Sequence, residues 1–298
     1  MKHFFIKLSN ERQGEIIIVL EALLWGLFPI MTVLALKSIP TLLALAWSTL
    51  FGAIFFALII SFKRGWQQLK NKDILKDILL STLLLGVLYY IFFFFGLQYT
   101  SPGNASLIAM IEIFFSFCFF NLWHKELVTS KQITGAILMV IGGIIVLYSN
   151  IHRFQIGDIL ILLAGFVAPL GNFFQRRARK SVSSEAILFI RSLLSAIVIF
   201  VLAYFTKADF SAVDLRKVFI FLIINGFFLL GLSKFLWVEG IHRIGVMKAN
   251  ALSGLAPLIT LLFAWLLLGN LPTKFQLFAF VPMFFGIILL SNDPSEKK

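Results

Sequence analysis

The sequence predicts an all-α membrane protein of ten transmembrane helices folded as a 5+5 inverted repeat, and three observations carry that prediction. The 298 residues are 60% hydrophobic and only 13% charged, with a mean hydropathy of +0.96, far from the roughly half-apolar, quarter-charged balance of soluble domains. Apolar runs of spanning length recur along the whole chain. The chain also matches itself at an offset of 144 residues.

A hydrocarbon core of roughly 30 Å needs about twenty apolar residues to cross it. The first run, 15–36, follows Lys2, Lys7 and Arg12 in the manner of a signal peptide. It is long enough to span and no small-residue cleavage site follows it, so it reads as a retained helix. The remaining runs are 41–62, 75–97, 103–123, 131–149, 157–176, 184–205, 217–238, 247–268 and 274–291. The 35 phenylalanines agree with this, because a helix facing lipid can carry large apolar side chains all round.

Loop charge tests the count independently, since cytoplasmic loops of membrane proteins carry an excess of Lys and Arg. With the N-terminus inside, 18 basic residues fall on the inner side, among them Lys63, Arg64, Lys70, Arg176, Arg177 and Arg179. Six fall outside: Lys37, Arg153, Lys207, Arg216, Lys217 and Lys274. This predicts a multi-pass protein of the bacterial inner membrane with both termini cytoplasmic.

At the 144-residue offset, Gly96 to Leu147 aligns without a gap with Gly240 to Ser291. Thr129 meets Thr273, Gln132 meets Gln276, Met139 meets Met283 and Gly142 meets Gly286. Five helices per half is an odd number, so the second copy enters the membrane from the opposite side. The chain divides into residues 1–150 and 151–298, an architecture by which many secondary transporters alternate access.

Several function classes are disfavoured. The formal net charge is +12, but the basic residues lie in short loops between apolar runs, so no nucleic-acid partner is expected. Cys118 is alone, and His3, His124, His152 and His242 are scattered without ligand spacing, which predicts neither disulfide nor metal site. There is no HExxH, GxSxG or paired intramembrane Asp, and no P-loop. The chain reads as a non-enzyme without a cofactor, with a membrane-embedded enzyme or a channel as the rival classes.

The stretches LLWGLFPI, GLQYTSPGNASLI, KELVTSKQITGAILMVIGGIIVL and GDILILLAGFVAPLGNFFQRRA resemble, in order and spacing, the EamA-like branch of the drug/metabolite transporter superfamily. The resemblance covers nearly the whole chain. It implies a ten-helix carrier whose central cavity is lined mainly by the first four helices of each half. It also implies a small-metabolite substrate such as an amino acid, a nucleotide-type metabolite, a sugar, S-adenosylmethionine or a drug, often exported. One departure is Gly269-Asn270-Leu271-Pro272, where the family usually has Gly-Glu.

A charge at membrane depth costs on the order of 3 kcal/mol on insertion scales, and four charges stand there: Glu21, Glu112, Arg191 and Lys234. Helical rise places Glu112 near the midplane, where it can bind an amino group or exchange a proton coupled to transport; the alternative is a structural hydrogen bond. Glu21, Arg191 and Lys234 fall at one depth in the cytoplasmic third, and ion pairs among them would span the two halves as a gate. Snorkelling to the interface is the alternative for the two bases. Tyr90 and Trp237 are aromatic candidates for the cavity wall, Trp237 because it lies three residues from Lys234. Asn104, Asn172, Asn225 and Asn250 are candidates for a polar path, and Pro29, Pro169, Pro257 and Pro282 for kinks. The site expected from sequence is thus Glu112, Tyr90, Trp237, Lys234, Asn104 and Asn250, gated by Glu21, Arg191 and Lys234. A mixed-charge cavity favours an amine-bearing substrate, an amino acid or S-adenosylmethionine, moved with a coupled proton or a counter-substrate.

Overall fold

The computed structural model describes residues 9–71, 73–124, 129–148, 155–207 and 215–290, and each of the ten expected spans is predominantly helical over its described residues. Among the described residues nine helices are long and apolar enough to cross a membrane. They are α1 (Asn10–Leu36), α2 (Thr41–Lys63), α3 (Leu75–Tyr99), α4 (Pro102–Phe119), α5 (Ser130–Tyr148), α6 (Ile156–Ala178), α7 (Ser184–Phe205), α8 (Val218–Ile244) and α9 (Lys248–Leu268). The tenth, α10 (Lys274–Leu290), is a shorter apolar helix. Both chain ends, and with them Lys2, Lys7, Lys297 and Lys298, lie outside the described residues, as do His3, Lys125, His152 and Arg153.

Two boundaries differ from the hydropathy reading. α1 begins at Asn10 because Ser9 caps it, accepting a hydrogen bond from the Arg12 N–H. α8 continues to Ile244, its polar end carrying an i,i+4 Glu239–Arg243 pair at 2.5 Å. Both helices therefore extend past their apolar stretch, and Glu21 and Lys234 stand nearer the middle of their helices than expected.

Helix packing obeys the repeat. The most extensive contacts are α5 with α10, α1 with α8, α2 with α7 and α3 with α6. Exchanging the halves maps α1–α8 onto α6–α3 and each other pair onto itself, as a pseudo-two-fold requires. The matched identities explain themselves at the α5–α10 contact. Gly142 faces Met283 while Gly286 faces Met139, and Gly135 and Gly286 lie carbonyl to Cα. A Cβ on Gly142 would lie 2.9 Å from the Ala279 carbonyl oxygen as well as inside the Met283 side chain. Gly142→Ala is therefore expected to cost about 1–3 kcal/mol by overpacking, seen as a lower melting temperature in detergent. The Thr129/Gln132 and Thr273/Gln276 matches are reciprocal capping boxes at the starts of α5 and α10. The threonine N–H donates to the glutamine Oε1 at 3.0 and 2.9 Å, and the glutamine N–H to the threonine Oγ1 at 3.3 and 3.2 Å.

Irregular backbone also recurs in register. α3 has a π-helical stretch at Thr82–Leu88, and α8 has one at Ile224–Leu232. α4 breaks at Met110, between Pro102–Ala109 and Ile111–His124. α9 breaks at Gly254, 144 residues on, before Ala256–Leu268. Pro257 consequently sits in the first turn of a helical piece rather than inside one, whereas Pro29, Pro169 and Pro282 are within helices as expected. Such departures from i→i+4 bonding cluster at functional sites, and here they place four interrupted helices around one centre.

Candidate functional site

Glu112 stands in the first turn of Ile111–His124, directly after the α4 break, where the helix N-terminus favours a carboxylate. Its Oε1 accepts a hydrogen bond from Asn172 Nδ2 of α6 at 3.2 Å. Glu21 is 3% exposed, and its two oxygens accept from Ser233 Oγ at 3.2 Å and Ser253 Oγ at 2.8 Å. Those hydroxyls belong to α8 and α9, so the carboxylate is clamped across the halves.

Lys234 holds its ammonium 3.3 Å from the ring centroid of Trp25, a cation–π contact, and interacts electrostatically with both Glu21 and Glu112. Arg191 is 7% exposed and donates from Nη1 to Gln175 Oε1 of α6. Its field acts on Tyr90, which also senses Glu112. Trp25 stacks on Phe28 with centroids 4.7 Å apart, and Phe28 meets Tyr90 and Phe93. These rings form a wall beside the charges. Two anions and two cations thus share one centre built from α1, α3, α4, α6, α7, α8 and α9, with Glu21 and Arg191 buried and Glu112 and Lys234 half-buried.

Of the residues named from sequence, Glu112, Tyr90, Lys234, Glu21 and Arg191 come together. Among the described residues, the ion pairs within 4 Å do not include Glu21, Arg191 or Lys234; in this conformation hydroxyls, an amide and a ring partner them. Asn104 lies apart, at the start of α4, its Oδ1 accepting from Gln276 Nε2 at 2.7 Å. It lies about 12 Å along α4 from Glu112, and its partner Gln276 helps to line a separate cavity of about 420 Å³ with Ser101, Gly103, Leu261, Asn270 and Thr273. Asn250 is half-buried in the first turns of α9. Trp237 is half-buried on α8, but the ring under Lys234 is Trp25. Asn225 is fully buried and donates to Thr32 at 3.0 Å and Ser48 at 3.4 Å, tying α8 to α1 and α2. Asn172 reaches the site, and so does Gln175, one turn further on α6 and absent from the candidates the sequence offers. Two polar residues three apart in an apolar helix were the available signal.

The EamA-like transporter family model matches residues 12–148 and again residues 155–292. The chain belongs to the EamA-like transporter family. Its similarity to curated members runs the length of the sequence. It is 25% identical over 258 residues to the uncharacterized transporter YyaM of Bacillus subtilis (strain 168), covering 83% of each chain. It is 25% identical over 290 residues to a probable amino-acid metabolite efflux pump of Salmonella typhimurium, covering 93% of this chain and 94% of that one. To the riboflavin transporter ImpX of Fusobacterium nucleatum it is 23% identical over 302 residues, covering 96% and 99%. A solved crystal structure at 18% identity superposes with a TM-score of 0.67 over 94% of this chain and 97% of the other, which establishes the shared fold. As a family member with spanning helices along its length, the chain is a multi-pass membrane protein of the transporter type.

Proposed function

We propose that this protein is a secondary carrier for a small amine-bearing metabolite, an amino acid or S-adenosylmethionine, across the bacterial inner membrane with both termini cytoplasmic. Residues 1–150 and 151–298 rock against each other, and neither catalysis nor a cofactor takes part. The observation that carries the reading is the charge-balanced, aromatic-walled centre drawn from both halves at the matched helix interruptions. Glu112 receives the substrate amine, with Tyr90, Trp25 and Lys234 around it, and a coupled proton or counter-substrate returns the empty carrier. Glu21 exchanges its serine partners for Lys234 or Arg191 when the gate changes state. The name of the Salmonella relative supports amino acids.

The test is a thermal-shift screen of purified protein against amino acids, S-adenosylmethionine, nucleotides, polyamines and riboflavin, followed by counterflow of the best compound in proteoliposomes. Saturable counterflow is expected. Linear flux without saturation indicates a channel, and chemical conversion of the compound an enzyme.

Contacts between halves also support alternating access. At the face where α1 begins, Arg177 of α6 binds both carboxylate oxygens of Asp77 of α3. Lys63 meets Glu185 at 2.7 Å, and Lys248 meets Glu11 at 2.6 Å and also Glu15. Beneath them Ile74 and Ile78 pack on Ala178, Val182 and Ile187. Opening that face requires breaking these pairs. In a Cys118→Ser background, Asp77→Lys is expected to speed labelling of a Ser81→Cys thiol from that side about tenfold, which a shift of about 1.4 kcal/mol produces. Adding Arg177→Glu should slow it again.

A further inference from the structure

Arg191 is a buried cation that makes no direct ion pair among the described residues. Only 7% of the residue is exposed, a guanidinium keeps its charge in proteins and carries five N–H donors, and its one hydrogen-bond partner among the described residues is the neutral Gln175 amide. Among the described residues no carboxylate lies within ion-pair distance of it; its electrostatic partners include Tyr90 and the like-charged Lys234. Burying an uncompensated charge is strongly unfavourable, so a purely architectural arginine should have acquired an Asp or Glu beside it.

The groups around it are unsatisfied in the same sense. Ser195 stands one turn further along α7 and is wholly buried, its Oγ without a hydrogen-bond partner. Facing it on α3 is Gly86, where a Cβ would come within 3.2 Å of both Arg191 Cγ and Ser195 Cβ. One turn before Gly86, in the π-helical stretch, Thr82 is 5% exposed with Oγ1 also unpartnered. One turn after Gly86 is Tyr90. A guanidinium and two hydroxyls with free donors line one seam between α3 and α7, and Tyr90 links it electrostatically to Glu112.

We propose that Arg191, with Ser195, Thr82 and Tyr90, is the recognition site for an oxyanion of the substrate, a carboxylate or a phosphate. It presupposes the carrier reading above and narrows it: substrates are anionic or zwitterionic, with the oxyanion on Arg191 and the amine on Glu112. Simple amines and polyamines are excluded. Gly86 is small so that α3 can approach Arg191 and Ser195.

The experiment compares matched compounds on purified wild-type, Arg191→Gln and Ser195→Ala proteins by thermal shift. The panel holds amino acids, their decarboxylated amines, the amine-free carboxylic acids, and phosphate monoesters; the last two arms separate carboxylate from phosphate as the oxyanion. Every compound that stabilises the wild type is expected to carry an oxyanion, and its dose for half-maximal shift to rise at least tenfold in Arg191→Gln and severalfold in Ser195→Ala. The ligand-free melting temperature of Arg191→Gln should match or exceed that of the wild type, because an unpaired buried charge has been removed; a structural arginine would lower it. Stabilisation by amines equal to that by the parent amino acids, stabilisation that survives Arg191→Gln, or a large drop in ligand-free melting temperature overturns the proposal. A panel in which nothing stabilises the wild type sinks the metabolite-carrier reading, and the oxyanion site with it.

Discussion

Glu112→Gln is expected to leave the protein folded and to cut counterflow of its substrate by about ten- to a hundredfold. Glutamine has the volume of glutamate and keeps an amide oxygen to accept from Asn172 Nδ2, which now bonds Oε1 at 3.2 Å, so the α4–α6 contact survives. What is lost is the negative charge in the first turn after the α4 break. A hydrogen bond to a charged partner contributes about 1.5–3 kcal/mol, and each 1.4 kcal/mol is a factor of ten in affinity. Asn172→Ala should have the smaller effect, a few-fold, because it removes an orienting donor and leaves the carboxylate. The same variant addresses proton coupling. If the wild-type rate depends on pH and the dependence persists in Glu112→Gln, another group carries the proton. Should Glu112→Gln transport at the wild-type rate, Glu112 is a structural hydrogen-bonding group and the amine subsite lies elsewhere.

The fold was legible because the properties that determine it are summed over many residues. Composition, loop charge and a self-match each average over dozens of positions, so errors at single residues cancel. Helix ends were less legible, since hydropathy measures the length of chain in lipid and not the length of helix. The polar turn after Ser9 and the Glu239–Arg243 pair keep α1 and α8 helical beyond the apolar stretch. The interruptions were the least legible. Gly254 and Pro257 mark the α9 break in the sequence, but the break at Met110 has no such marker, and neither π-helical stretch contains a proline. They follow from how four helices fit around a centre, which no local window contains.

The site shows the same division. Charges in apolar runs are conspicuous one by one, and all four converge as α1, α4, α7 and α8 pack. Their immediate partners come from other helices: Trp25 for Lys234, Ser233 and Ser253 for Glu21, Asn172 for Glu112, Gln175 for Arg191. Pairing Trp237 with Lys234 from their three-residue spacing used the only geometry a sequence supplies, that of a single helix. The ring that lies beneath the ammonium is on α1, in the other half.

That inter-half contact makes Lys234 the second large effect. Lys234→Ala removes the cation whose field acts on both Glu21 and Glu112 and empties the space above Trp25. Transport is expected to fall at least tenfold. Lys234→Arg should recover little, because a broad planar guanidinium does not fit where a compact ammonium sits 3.3 Å above the ring centroid. Glu21→Gln keeps an oxygen toward Ser233 or Ser253 but loses the charge, and alone should slow transport severalfold. The double variant distinguishes a gate from two independent defects. If Glu21 and Lys234 pair in one state of the cycle, their effects couple by roughly 0.5–3 kcal/mol and the double variant is less impaired than the product of the singles predicts. Strict multiplication of the two defects would mean that Glu21 stays with its serines throughout, and that Lys234 acts on the substrate alone. Wild-type rates in both single variants would remove the gate.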